Sequence, residues 1–383
     1  MFQLETRPAP SRLMSVASPL LALALTVLIG LALFALLGKD PLHGLSMFFV
    51  EPLKSGYALS ELAVKATPLL LIGLGLALSY RANVWNIGAE GQFVLGAICA
   101  SGVAMQCGPA TTHWIVLPIL LAGVAGGMAW AALVALLRDR FHASEILVSL
   151  MLVYVADMLL SYLVYGPWKD PAGFNFPQTI SFLEPTRIPR LFSGLRLNIG
   201  ALIALAAVGL VWVAQFRLYA GFQLQVGGLA PVAAGYAGFS SRRALWTALL
   251  VSGGLAGLAG GLEAAGPLGQ LTPYVPAGYG FAAIIVAFVG RLHPVGILLS
   301  SLLLSLFYIG GELAQSRMGL PKSITGVFQG LLLFSLLACD TLIHHRLVWR
   351  RRPAAPAAPA APAAPAAPAT PAAPAPALPG GTA

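Results

Sequence analysis

Charge is what this chain of 383 residues has least of. Asp, Glu, Lys and Arg together make up 9% of it, against about 25% in an ordinary soluble domain. So little charge cannot cover a water-facing surface, and with 58% hydrophobic residues the composition implies a polytopic membrane protein. Acidic residues are scarcer than basic ones, 13 against 22, which leaves a net charge of +9. That surplus does not read as a nucleic-acid surface, because the bases stand singly at the ends of apolar runs and form no stripe interleaved with aromatics. Cysteine is nearly absent. Cys99, Cys107 and Cys339 each sit alone in apolar surroundings, which supports neither a disulfide framework nor a thiolate metal site. His344 and His345 lie in a basic exit sequence beside Arg346 and lack further ligands, so no metal is expected there. The phosphate loop GxxxxGK[ST], the HExxH zinc pair and the GxSxG nucleophile turn are all missing. No catalytic residue and no cofactor are expected, and any ATP that powers this protein must bind another chain.

What is present is a series of apolar runs near 20 residues, the length that crosses a bilayer. They fall at 19–38, 61–80, 88–108, 114–137, 144–165, 198–216, 244–265, 281–290 with its flanks, 294–314 and 324–342. The first lacks a convincing cleavage site and reads as a retained helix. About ten crossings put both termini on one side. With that side cytoplasmic, Arg7, Arg12, Arg81, Arg138, Arg140, Arg217, Arg242, Arg243, Arg291, Arg346 and Arg350 to Arg352 fall inside, as the positive-inside bias requires. The expected organisation is therefore an all-α integral membrane protein in two pseudo-repeated halves. A cytoplasmic N-terminus covers 1–17 and a transmembrane domain covers 18–343, with an external loop at 166–197 and a cytoplasmic loop at 217–243. The basic and Pro/Ala-rich end covers 344–383, where proline at every third position favours a solvated, extended chain.

The segment 217–243, RLYAGFQLQVGGLAPVAAGYAGFSSRR, carries arginines at both ends and small residues between them. It is expected to form a short helix on the inner face, against which a soluble partner pushes. Two other stretches break the apolar pattern: 83–92 (NVWNIGAEGQ) and 266–280 (GPLGQLTPYVPAGYG). Irregular backbone at membrane depth survives only where protein or water satisfies it, and interrupted segments in corresponding positions of two halves point to a substrate pathway. Asn83, Asn86, Glu90, Gln92 and Tyr279 are pathway candidates on that ground. Asp157, near the middle of its span, joins them as an intramembrane acid needing a protein or water partner, and so does Glu263 at the outer end of its helix. Glu145 follows Ser144 at a helix start, where a cap and the helix dipole would favour it. The run GGLAGLAGG at 253–261 is expected to pack helices closely.

The segments NIGAEGQ at 86–92, SEILVSLMLVY at 144–154 and GYGFAAIIVAFVGRLHPVGILLSSLL at 278–303 resemble permease subunits of bacterial ABC importers for nucleosides and simple sugars, the superfamily that includes ribose and branched-chain amino-acid permeases. GLAPVAAGYAGF at 228–239 is similar to that family's G-L-N-P-x-A-A-x-Y-A-G-I. The likeness runs from about residue 60 to 342, and NIGAEGQ with the GRxHPxGI run at 290–297 points toward the nucleoside branch. The resemblance implies an ATP-binding partner subunit, a second permease subunit, identical or related, and a solute-binding lipoprotein outside a bacterial inner membrane. It also implies that 228–239 is the coupling helix, with Gly228, Pro231, Ala233, Ala234, Tyr236, Ala237, Gly238, Arg242 and Arg243 at or beside the ATPase contact. Three positions depart from the family pattern: Ala230 stands where it has Asn, Val232 where a polar residue is common, and Val153 where Asn is frequent. A reading from another class, an ion-coupled secondary transporter using Asp157, Glu90 and Glu263, would need no ATPase.

Overall fold

The structure is a computed structural model that describes residues 2–6, 12–108, 112–192 and 194–349. The Pro/Ala-rich tail, Arg7 and Arg350 to Arg352 lie outside the described residues. The chain is built almost wholly of helices: α1 (Arg12–Leu36), α2 (Pro41–Phe49), α3 (Gly56–Arg81), α4 (Ala89–Met105), α5 (Val116–Phe141), α6 (Glu145–Tyr165), α7 (Ile199–Phe216), α8 (Tyr219–Leu229), α9 (Pro231–Tyr236), α10 (Ser241–Glu263), α11 (Tyr279–Val289), α12 (Pro294–Met318) and α13 (Ile324–His344). Strand β1 (Phe2–Thr6) pairs antiparallel with β2 (His345–Trp349), so both ends of the bundle lie on one side. Eight of the helices are long and apolar enough to cross a membrane, and α4 and α11 are shorter apolar helices. These ten correspond in order to the ten apolar runs.

Helix α3 is the axis of the bundle. Its apolar window is 89% buried against 22% for α1 and α6, because it packs on α7, α10, α11 and α12 at once. Around it, α4, α5 and α10 approach so closely that glycine is required at the crossings. A Cβ on Gly127 would come within 2.1 Å of Gly253 O, and one on Gly257 within 2.3 Å of Gly123 O. The glycine run at 253–261 is thus a packing seam, as its spacing suggests.

Two features went unread in the sequence. Asp40 accepts from the backbone N–H of Leu42 at 3.0 Å and caps α2, with Pro41 in the first turn. This short helix wedges Phe48 between Phe34 and Phe328, with ring centroids 5.8 and 4.6 Å away. Just beyond it, Lys54 and Arg317 hold the Glu51 carboxyl below its ordinary range, at 2.6 and 2.8 Å. The described residues of the 166–197 segment carry a short 3-10 turn, Glu184–Thr186. The segment hydrogen-bonds to the α10–α11 connection through Thr179 N to Leu271 O at 3.0 Å, Phe182 N to Gly269 O at 2.8 Å and Ile188 N to Ala265 O at 3.0 Å.

Candidate functional site

The two interrupted stretches enter the bundle from opposite ends and meet inside it. The first begins where α3 stops at Arg81 and the chain turns through Asn83, which adopts φ +55°. Asn86 is then fully buried. Its Nδ2 donates to Gln92 Oε1 at 2.9 Å and to Ser252 Oγ at 3.0 Å. Its Oδ1 accepts from Gln92 Nε2 at 3.1 Å and from Gly88 N at 3.2 Å. Every polar group of this amide is engaged, which makes such a knot rigid rather than costly in an apolar interior. Ser252 lies halfway along α10, so the knot sits at mid-depth.

The second stretch leaves α10 through a π-helical turn, Ala264–Leu268, and runs irregularly to α11. Gly278, at φ +77°, and Gly280 present their N–H groups to Glu90, at 2.9 Å for Gly278 N–Oε1, and Gly280 N donates to Oε2. A buried carboxylate thus caps the first turn of α11, where the backbone donors are otherwise orphaned and the dipole favours negative charge. Gly280 cannot be larger, since its Cβ would lie 2.2 Å from Glu90 N. Tyr279 is buried between Phe93 and Tyr308, with centroids at 5.9 and 5.4 Å, and Lys65 Nζ lies 5.9 Å over its ring. The Tyr279 hydroxyl is buried without a hydrogen-bond partner among the described residues.

The seven pathway candidates therefore do not form one cluster. Asn86, Glu90 and Gln92 come together, and Tyr279 follows directly on the Glu90 cap. Asp157 stands apart, half-buried on α6 with Oδ1 unpartnered but within electrostatic reach of Glu90. Glu263 is buried at the far end of α10, in a charged group with Lys65, Arg196 and Glu61. Asn83 is exposed in its turn, where Oδ1 accepts from Trp85 Nε1 at 3.1 Å. Ser252 was missed, although a hydroxyl in the middle of an apolar helix was the available signal.

Glu145 stands in the first turn of α6, the helix start at which the dipole was expected to favour it, but the expected cap is absent. Ser144 makes no side-chain cap. Glu145 is buried and ion-paired with Arg138 of α5 instead, because the tight α5–α6 turn, with His142 at φ +53°, brings the two helix ends together. Glu145→Leu should leave Arg138 unpaired and lower stability by about 1–3 kcal/mol, read as a lower melting temperature of the purified protein. The double substitution with Arg138→Leu should recover most of that loss.

The middle loop folds as α8 and α9. The end of α8 rests on the start of the first broken stretch: a Cβ on Gly228 would meet Arg81 O at 2.3 Å and Asn83 N at 3.0 Å. Arg81 in turn lies over the Phe216 ring at 4.7 Å. On α9, Ala234 is buried, whereas Pro231, Val232, Ala233, Tyr236 and Ala237 are exposed, Tyr236 at 91%. Gly238 closes the helix at φ +79°, and a cavity of about 400 Å³ lies behind it, against α10. Arg242 pairs with Asp139 at 2.7 Å, and Arg243 N is capped by Ser240 Oγ at 3.3 Å.

A short exposed helix seated on interrupted apolar helices, eight of the others long enough to cross a bilayer, defines a polytopic membrane protein. The model of the family described as branched-chain amino acid transport system / permease component matches residues 58–337. The chain belongs to this family and is a permease subunit of an ABC import system. It is similar to the glucose ABC transporter permease protein TsgB13 of Haloferax volcanii, at 32% identity over 90% of this chain and 93% of the relative. It is also similar to the guanosine ABC transporter permease protein NupP of Bacillus subtilis, at 30% identity over 82% and 91%. The nucleoside ABC transporter permease protein NupB of Lactococcus lactis shares 26% identity over 82% and 89%. As a permease component, the chain is not the enzyme of its system.

Proposed function

We propose that this chain forms half of a translocation pathway for a nucleoside or simple sugar in the cytoplasmic membrane, driven by an ATPase docked on α9. The observation that carries this reading is physical continuity. The exposed α9 follows α8, α8 abuts Arg81 to Asn83 through Gly228, and that stretch leads into the Asn86–Gln92–Ser252 knot and the Glu90 cap of α11. A displacement of α9 therefore reaches mid-depth through packed backbone, and each nucleotide state of the partner favours one arrangement through differential contact. The termini and α8–α9 then lie inside, and the 166–197 loop faces the solute-binding protein outside. A second permease subunit covers the exposed apolar face of α6, where Leu147, Tyr154 and Met158 are more than half exposed. Glucose, guanosine and nucleosides named for the relatives support the substrate class.

The three acids of the ion-coupled alternative do not form one site. Both Glu90 oxygens already accept backbone donors, Asp157 stands apart on α6, and Glu263 lies elsewhere in a charged group with Lys65, Arg196 and Glu61. Ala233→Trp, on the exposed side of α9, should weaken ATPase docking by on the order of 30-fold, the scale of an interface hot spot. Membrane insertion and melting temperature should not change. Co-purification of the ATPase and ATP-driven uptake are the readouts, and normal values for both would contradict the coupling role.

A further inference from the structure

A second cavity, of about 510 Å³, opens between α11, α12 and α13. Its volume is that of a small-molecule site. Glu312, Gln315 and Lys322 surround its mouth, at the end of the bundle opposite the chain termini, where α12 finishes and α13 begins. Glu312 is already paired with Lys65 at 3.2 Å. Deeper in, the wall is uncharged: Tyr308, Thr325 and Gln329 stand beside Phe281, a half-exposed aromatic ring. Tyr308 donates its hydroxyl to Ala277 O at 3.2 Å, so its ring is fixed. Gln329 lies in the second turn of α13 beside the Tyr308 hydroxyl, and its Nε2, sheltered from solvent, makes no hydrogen bond of good geometry among the described residues. A buried amide donor left unmet costs free energy that a well-packed apolar residue would avoid. A wall carrying this many polar side chains also does not face hydrocarbon.

We propose that this cavity is the outer vestibule of the pathway, and that Gln329 donates there to an uncharged, polyhydroxylated solute whose ring face lies on Phe281. This rests on the orientation and transport role proposed above. Charge at the mouth and none below selects a neutral ligand. An amino acid would bring a carboxylate to a deep wall that offers it no cation and behind which Glu90 lies against Gly278. Pentose and hexose rings share the chemistry that fits, so guanosine and glucose are the probes that separate the two sources.

The test is uptake by the complete transporter in liposomes, with guanosine, glucose and leucine as substrates. Gln329→Leu should raise the KM of the accepted neutral solute about tenfold, the worth of one hydrogen bond, with the maximal rate unchanged and the melting temperature no lower. A purely structural Gln329 would instead lower the melting temperature and leave KM alone, and that result overturns the inference. So does leucine as the transported substrate. In parallel, Gln329→Cys, in a background with Cys99, Cys107 and Cys339 replaced by Ser, should react with a membrane-impermeant maleimide from outside. Saturating guanosine or glucose should slow that reaction, and absence of labelling also overturns the inference. The transport reading fails separately, if wild-type uptake proceeds without the ATPase. The KM ratio and the labelling still report on the vestibule in that case.

Discussion

Glu90→Ala should cost more than any other single polar substitution in this protein, in stability and in uptake. The carboxylate takes two backbone donors, Gly278 N and Gly280 N, at a helix start buried inside the bundle. Removing it strands both where no water replaces it, at about 1–3 kcal/mol each. The N-terminus of α11 must then fray or move, and the irregular stretch before it loses its anchor. Glu90→Gln keeps one acceptor oxygen but turns an amide N–H₂ toward a second donor, so an intermediate loss is expected. The measurement is the melting temperature of the purified variants beside their uptake rates. The two should fall together, in the order wild type, Glu90→Gln, Glu90→Ala. A coupling-ion site would behave differently: Glu90→Gln would abolish transport and leave the melting temperature where it was.

Gly257→Leu should prevent folding altogether. Gly257 sits where α5, α4 and α10 cross, with Gly123 O 2.3 Å and Gly127 Cα 2.8 Å from the position its Cβ would take, and Gly96 packs on it from the other side. Overpacking against side chains costs about 1–3 kcal/mol, but here the obstacles are backbone atoms of α5, which cannot rotate away. The three helices would have to separate along the seam. Monodisperse yield after detergent extraction is the readout, expected to fall to background. Gly209→Ala on α7 is the control. A Cβ there meets nothing within 4 Å, so its yield should equal wild type. Normal yield of Gly257→Leu would show that the seam is looser than drawn.

Much of this architecture was legible because bilayer length and hydropathy constrain a membrane chain so tightly. Each apolar run became a helix in the expected order, and the glycine run became a packing seam, since a small-residue pattern in lipid has few other uses. The broken stretches were recognisable as breaks because glycine, proline and amide side chains are expensive in hydrocarbon. Their mutual contact was not. Nothing local links Glu90 to Gly278 and Gly280, which lie 188 and 190 residues away, or Asn86 to Ser252. The same limit explains Glu145: Ser144 looked like its cap, whereas the partner is Arg138, delivered by a turn whose left-handed His142 no pattern announces. Asn83 shared a motif with Asn86 yet stays in the exposed turn, because αL geometry at that position points the chain into the bundle only afterwards. Helix α2 was too short to register as a span, and its Asp40-Pro41 start was the signal that could have located it.

The most direct test of the whole account is solute flux into vesicles holding the permease assembly, with and without its ATPase subunit, at fixed ATP and with every ion gradient collapsed. Uptake of a nucleoside or sugar should require the ATPase and vanish when α9 carries Ala233→Trp. Uptake that persists without the ATPase, or accumulation by the permease alone once a proton or sodium gradient is imposed, would contradict it.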